Sequence, residues 1–549
     1  MKQLFAISLV LILATSALAQ EVHPGERHAQ VADDLGHPVI NSMALPPGDA
    51  ALAVEDSEGA LRLWLGSRGT MALSGAYLGD DGESPDAGDG AHLLWIPERG
   101  AFRAGVDDQG LWQPDSVGRN SIAMGLRARA TMPSTVAIGP NTVARTNSSI
   151  AMGQSAQAGD PNVPVNNELA IAIGAYSRAM HFAALALGAD AEALGRLSTA
   201  VGFRAIASGF QSTAFGFKAI SSGYETLSIG YDTESSGNRS VAIGIESSSS
   251  GIRSFAIGNK TIAIGTEALA MGSESLASGA YATAFGYETI AAGEGSTAFG
   301  RSTRSPGAYS TAMGRATRAT GDYSVAMGVG SMASGDNSMA AGAQSVSSGL
   351  NSTALGLGVT AQAYSSIAMG RYNVISGSTT GYSTTQPLFL VGNGTSNGAR
   401  SNALTLLNNG NMTIAGTLTQ NSDSRLKENI VDLEGGLESV LGLRTVRYQF
   451  REGVNRPEGE HIGLIAQEVY ELLPELVHVD SEGFLSVAYQ NLAPVLVAAM
   501  QEQQAEIERL RTANEELRAA NGALRSNDDV LEARLERMER MMEMMASRD

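Results

Sequence analysis

The sequence predicts a mainly β protein: a parallel solenoid of fourteen-residue repeats, then an α+β region ending in a coiled coil. Three observations carry this. A Ser/Thr–Ala–apolar–Gly step recurs every fourteen residues from about Ala170 to Gly377, its glycine falling at Gly174, Gly188, Gly202 and onward without drift to Gly370. A second glycine follows most of these seven residues later, as at Gly195, Gly209 and Gly223, with Ala363 at the one missing place. From Met500 an apolar heptad runs through Leu510, Leu517, Leu524, Leu531, Met538 and Met545.

A fixed period this short means stacked coils rather than a folded globule. Two half-cycles suggest two strands of roughly four to five residues per coil. Each glycine is expected to supply the positive backbone dihedral of a turn. In Ser212-Thr213-Ala214-Phe215-Gly216, alternation puts Ala214 on one face and Phe215 on the other. A coil so narrow encloses a column of alanines and leaves a stripe of Ile, Met and Phe uncovered. Other copies of the chain are expected to cover it.

Before the repeats, Lys2, an apolar run from Leu4 to Ala14 and Ala17-Leu18-Ala19 have the form of a secretory leader cut before Gln20. The mature chain is therefore expected to be exported, extracellular or on the cell surface. No later stretch reaches the ~18 apolar residues of a membrane span. Residues 20–118 alternate short apolar runs with Gly, Asp and Pro and suggest a small β module. Trp64, Trp95 and Trp112, the chain's three tryptophans, all lie there and are expected to pack in its core. The acidic stretch Asp80–Asp89 lacks the ligand spacing of a calcium loop and is read as solvated.

The chain has no cysteine and a net charge of -19, with few basic clusters. Disulfides hold nothing, and nucleic acid and anionic membranes are poor partners. No carboxylate pair, metal cluster or triad stands out in the repeats, so neither cofactor, metal nor a hydrolase acting on other molecules is expected. The beat starts at Gly125, Gly139 and Gly153 and is broken at Gly159–Asn167, where Pro161 and Pro164 indicate a projecting loop. Ranked Ser and Thr would suit an ice-binding plane, but the rank is mixed and changes along the chain.

Ser-Ile-Ala-Met-Gly at Ser121–Gly125 and Ser-Val-Ala-Ile-Gly at Ser240–Gly244 resemble the head repeats of trimeric autotransporter adhesins. The resemblance covers nearly half of the chain. It implies a left-handed parallel β-roll, a homotrimer, a surface-exposed rod, and an unknown surface receptor or matrix ligand. Those adhesins end in strands of a membrane barrel. This chain closes instead on a charged helix and Arg548-Asp549, so anchoring by that route is not expected.

After Gly377, Pro387–Gly394, Ala403–Leu407 and Met412–Leu418 read as a thin β shaft too short to fold alone. Composition changes at Ser422, where a charged, helix-friendly stretch begins. Ser422-Asp423-Ser424-Arg425-Leu426-Lys427, then Ile462-Gly463-Leu464-Ile465-Ala466-Gln467-Glu468-Val469 and Val487-Ala488-Tyr489-Gln490-Asn491-Leu492, resemble the intramolecular chaperone of phage endosialidase tailspikes. The resemblance implies a trimerising domain that cuts itself off its fibre with a Ser–Lys dyad. Ser422 and Lys427 stand at the dyad positions, and the cut falls after Asn421. The chemistry agrees: a serine hydroxyl needs an adjacent base, which a desolvated lysine supplies and an arginine cannot. The chain uses arginine almost everywhere; its lysines are Lys2, Lys218, Lys260 and Lys427. Five residues along a helix is about 140° of rotation. Ser422 must therefore precede the helix, with Asp423 as cap, or the pair meets between protomers. His461 and His478 are read as structural.

In the terminal helix the second seam position holds Met500, Ile507, Asn514, Asn521, Asp528, Leu535 and Met542. Its polar members weaken the seam but fix register, as suits a clamp aligning three chains. The expected organisation is leader 1–19, β module 20–118, repeats 119–377, shaft 378–421, chaperone 422–498 and coiled coil 499–549. The function read from it is a secreted or cell-surface adhesive fibre whose only chemistry is one turnover on itself. The alternative is a phage or prophage tail-fibre-like receptor-binding protein.

Overall fold

The computed structural model describes residues 50–55, 61–66, 71–73, 90–96, 99–160, 162 and 169–547. The leader, the acidic stretch at 80–89 and most of the expected loop at 159–167 lie outside them. The chain divides into two compact units: residues up to Gly381 with Leu390–Asn402, and Tyr382–Phe389 with Ala403 onward.

The first unit is a β-solenoid. Each coil contributes one strand to each of two parallel sheets. In the first sheet Thr199–Val201 pairs with Thr213–Phe217, setting Ala200 opposite Ala214 and Val201 opposite Phe215. In the second, Ile206–Ala207 pairs with Ile220–Ser221. The two half-coils are unequal. Strands of the first sheet have three residues in the early coils and five from Thr213–Phe217 onward, while those of the second have two.

The expected alternation is present. Ala200, Ala207 and Ala214 are fully buried, while Phe215 is 53% exposed. The interior also takes the residue that opens each step, most often a serine. Ser212 donates to the Gly209 carbonyl at 2.8 Å and Ser254 to that of Gly251 at 2.7 Å. Where serine replaces alanine in the facing column, the hydroxyls pair, as Ser249 with Ser254 and Ser305 with Ser310, both at 2.7 Å. Buried hydroxyls as a rule find partners, as Ser212, Ser249, Ser254, Ser305 and Ser310 do, whereas Ser296 Oγ is buried without one. An ice-binding plane loses these serines, because the rank points inward.

The turns correct the expectation for glycine. The first column does lie at positive φ, as Gly216 at +133°. The second column from Gly195 to Gly349 does not, and positive φ falls instead on residues such as Gln211 (53°), Lys218 (53°) and Glu225 (53°). Each is held there by its amide: Lys218 N–H donates to the Phe203 carbonyl at 2.9 Å and Glu225 N–H to that of Phe210 at 2.8 Å. One hydrogen bond per turn offsets the ~1–2 kcal/mol of the left-handed conformation. What the second column needs is space: a Cβ on Gly209 would lie 1.8 Å from the Gly223 carbonyl oxygen.

The stack begins before the repeats. Gly90–Ile96 forms an antiparallel hairpin with Ala101–Asp107, which pairs in parallel with Ile122–Met124. Ala50–Glu55, Leu61–Gly66 and Met71–Leu73 form a separate antiparallel sheet. Trp112 is buried, its indole N–H donating to the Ala128 carbonyl at 2.7 Å. Trp95 is exposed, against expectation, because Ile96 takes the inward place on that strand. The side chain of Trp64 lies outside the described residues. At this end of the bore Arg103 is fully buried. Its guanidinium donates to the carbonyls of Ser121 (3.1 Å) and Ala130 (3.0 Å) and to Ser121 Oγ (2.8 Å). Burial lowers its pKa to about 10.

At the far end Asn373, also buried, bridges the Thr360 backbone at 2.7 and 2.8 Å, and Leu390 packs with Ala354, Val359, Ala361 and Ala368. Arg400 donates to the carbonyls of Gly358 and Asn373, both at 3.0 Å. Residues 390–402, expected in a separate shaft, thus close the last coil.

In the second unit a hairpin pairs Leu404, Thr405 and Leu406 with Ile414, Thr413 and Met412, turning through Asn408–Asn411. Beyond it lie helix α1 (Gly436–Gly442), paired strands Val446–Tyr448 and His461–Gly463, helix α2 (Ala466–Leu472), paired strands Val477–Val479 and Leu485–Val487, and helix α3 (Leu492–Ala546). Val469, Leu473, Leu476, Val477 and Val495 form its small core. Leu510, Leu517 and Leu524 on α3 are exposed in the single chain. Among the described residues no helix is long and apolar enough to cross a membrane.

Replacing Gly209 by Ala is expected to destabilise the solenoid by more than ~2 kcal/mol. Gly398→Ala, where a Cβ meets nothing within 4 Å, stays within ~0.5 kcal/mol. Urea midpoints of the two variants check this.

Candidate functional site

The stretch that follows Asn421 is one 3-10 turn, Ser424–Leu426, not the longer helix its composition suggests. Asn429 at φ 53° stops propagation, and the next helix waits until Gly436. Asp423 caps the turn from an extended conformation (φ -65°, ψ 128°), accepting the Arg425 amide at 2.9 Å. Lys427 leaves it extended as well (φ -123°, ψ 145°).

Two extended residues flanking one turn fold the chain back on itself. As a result Lys427 Nζ donates to Ser422 Oγ at 2.8 Å within a single chain. Of the two arrangements the helix geometry allowed, the structure has Ser422 before the turn with Asp423 as cap. Asp423 is itself engaged by Arg425, whose Nη2 lies 2.6 Å from its carboxylate. That hydrogen bond holds the Asp423 carboxyl below its usual range and raises Arg425. The local acid is thus taken by an arginine, and the lysine is directed to the hydroxyl.

Residues 421–435 are all exposed in the single chain. A lysine acts as a base only as the neutral amine, which desolvation favours. Contact between the two groups is therefore in place before any solvent exclusion.

Neither histidine is hydrogen-bonded to Ser422 or Lys427. His461 Nε2 lies 3.1 Å from the Pro457 carbonyl, and its ring clusters with those of Tyr448 and Phe450. His478 sits in a strand, its carbonyl accepting from Ser486. Sequence reasoning missed Glu502. From α3 its carboxylate accepts the amides of Gly436 (3.0 Å) and Leu437 (2.8 Å), the open end of α1. No spacing announces this, because the partners lie some sixty-five residues apart and are backbone. Gly436 permits the approach: a Cβ there would lie 2.8 Å from Ala498 Cβ. Tyr489 adds a second tie, its hydroxyl accepting the Leu464 amide at 2.9 Å.

Two stretches of the chain match known families. Residues 422–478 match the family model described as chaperone of endosialidase, a serine peptidase family. Several stretches between residues 116 and 373 match the YadA head domain repeat. The chain is thus a fusion of a YadA-type head-repeat region with an endosialidase-type chaperone domain. The chaperone domain supports a self-cleaving serine peptidase activity, and the architecture is consistent with an adhesin or fibre protein. The long tail fiber proteins Gp37 of Enterobacteria phages M1 and Ox2 are each 34% identical over 97 residues, 17% of this chain. The match spans 39% of the length of these relatives.

The Glu502 carboxyl is held below its usual range, chiefly by the Leu437 amide. A depressed carboxyl stabilises the fold above its unfolded pKa, and that contribution is lost as pH falls through the folded value. Urea midpoints taken from neutral pH to about pH 3 should fall for the wild type. Glu502→Gln should be weaker at neutral pH and flatter on acidification.

Proposed function

We propose that this chain is an exported homotrimeric fibre with an adhesin-like head, assembled by a C-terminal chaperone that cuts itself free between Asn421 and Ser422. The observation that carries the reading of the cut is the 2.8 Å contact of Lys427 with Ser422 at the start of the matched chaperone region. Ser422 is the nucleophile and Lys427 the base. Ser422 Oγ attacks the Asn421 carbonyl carbon as its proton passes to the Lys427 amine. The C–N bond then breaks, the Ser422 nitrogen takes a proton, and Asn421 is left as an ester on the Ser422 oxygen. Water hydrolyses the ester to a carboxylate and restores the hydroxyl.

Trimerisation supplies what the single chain lacks. The uncovered Phe, Met and Ile of the first sheet and the leucine seam of α3 need a partner surface. A left-handed β-roll and a three-stranded coiled coil provide it in this reading. Bringing three copies of 421–435 together would also exclude water from the dyad, so cutting follows assembly.

A tail-fibre-like receptor-binding protein is the second reading, favoured by the likeness to the Gp37 proteins. The leader-like first residues favour export. Finding the fibre region, or the uncut Ser422→Ala chain, in the exported fraction supports the first reading, and confinement to the cytoplasm overturns it.

On a denaturing gel the wild type should release a fragment spanning 422–549, while Ser422→Ala and Lys427→Arg stay whole. Light scattering should give three copies for both variants. A wild type that stays uncut at neutral pH reduces the dyad to a structural contact.

A further inference from the structure

Between coils that precede and follow the expected loop, the solenoid surface carries a hollow of about 240 Å³. Two neighbouring columns line it over three coils. Ser155, Tyr176 and Asp190 occupy equivalent turn positions, all at positive φ (55°, 59° and 55°). Gln157, Arg178 and Glu192 stand two residues later in each coil and pair directly with one another in the second sheet. Along the same two columns the next four coils carry Arg204 with Ile206, Lys218 with Ile220, Asp232 with Glu234 and Glu246 with Ser248, with no aromatic ring among them. The grouping of a ring with polar planar groups does not recur there.

The side chains are set in place. Arg178 meets Glu192 at 3.1 Å, Arg204 lies 3.6 Å from Asp190, and Gln154 donates to the Tyr176 hydroxyl at 3.0 Å. With its hydroxyl tied down, Tyr176 still leaves half of its surface open. The hollow is smaller than the roughly 300–1,000 Å³ of drug-sized sites. Two carboxylates oppose an anion, and Arg178 opposes a metal ion. The carboxylates accept from hydroxyls, the guanidinium donates to them, and Gln157 does both. An exposed ring offers an apolar platform to a face of C–H bonds.

We infer that this hollow is a binding subsite for a neutral sugar ring, stacked on Tyr176 and hydrogen-bonded through Arg178, Glu192 and Gln157. The inference rests on the proposed reading of the head as an adhesive surface and assigns a ligand class to it. The test uses the full chain on immobilised lactose, maltose, mannobiose and diacetylchitobiose, with sialyllactose as the acidic comparison. At least one neutral sugar should be retained. Tyr176→Ala and Glu192→Gln should each weaken that retention at least tenfold, while Tyr176→Phe and the distant Tyr323→Ala leave it intact. No retention of any neutral sugar, preference for sialyllactose, or retention that survives Tyr176→Ala overturns the inference. Light scattering on the same sample keeps the two readings apart. A trimer that ignores every sugar sinks the subsite alone, and a monomer that retains one sinks the trimeric fibre alone.

Discussion

The solenoid depends on how closely its coils approach at the glycines. At Gly216 a Cβ would stand 2.0 Å from the carbonyl oxygen of Gly230, and at Gly195 one would stand 1.9 Å from that of Gly209. Backbone contact this close leaves a bore wide enough only for methyl and hydroxymethyl groups. Alanine, serine and threonine therefore fill most of it, and most larger apolar side chains are turned outward, with Val359 and Leu390 at the far end as exceptions. The same constraint that makes the repeat regular makes its surface greasy. Coil-to-coil stacks such as Phe203–Phe217–Tyr231, with centroids 5.4 and 4.9 Å apart, recover part of that area within the chain. They do not hide it.

A bore also has two ends, and an open end exposes unpaired backbone to the next molecule. This chain closes both with polar side chains that satisfy backbone groups. Arg103 Nη1 and Nη2 donate to carbonyls and one hydroxyl of the first coils, its Nε alone lacking a partner, and Asn373 pairs both ways with Thr360. A buried guanidinium without a carboxylate is costly, and its lowered pKa reflects that. Several carbonyls converging on it make the position tolerable.

Most of the solenoid was legible because its signal is repeated. Step, period and inward alanine recur so often that the register leaves little freedom. What the sequence hid is what appears once or depends on distant backbone. Gly209 and Gly216 look alike as letters, yet one is required by space alone and the other by φ as well. Arg103 reads as a surface charge until the first coil closes over it. Glu502 reads as one acid among many on a charged helix until α1 is docked against it. Ser422 and Lys427 were legible as a pair through resemblance. Their meeting across a single 3-10 turn was one of two arrangements that spacing left open.

The exposed dyad and the exposed stripe pose the same problem at two scales. Lys427 touches Ser422 in the single chain, but both groups stand in water, where a lysine is a poor base. Phe215 and its neighbours stand in water where apolar surface is a liability. In the proposed reading one event, association of three copies, removes water from both. Chemistry that waits for burial cannot run on an unassembled chain, so the cut would act as a report that assembly is complete. Hydrolysis of the Asn421 ester would then make release irreversible, and the clamp would leave only a fibre already held together by its own face.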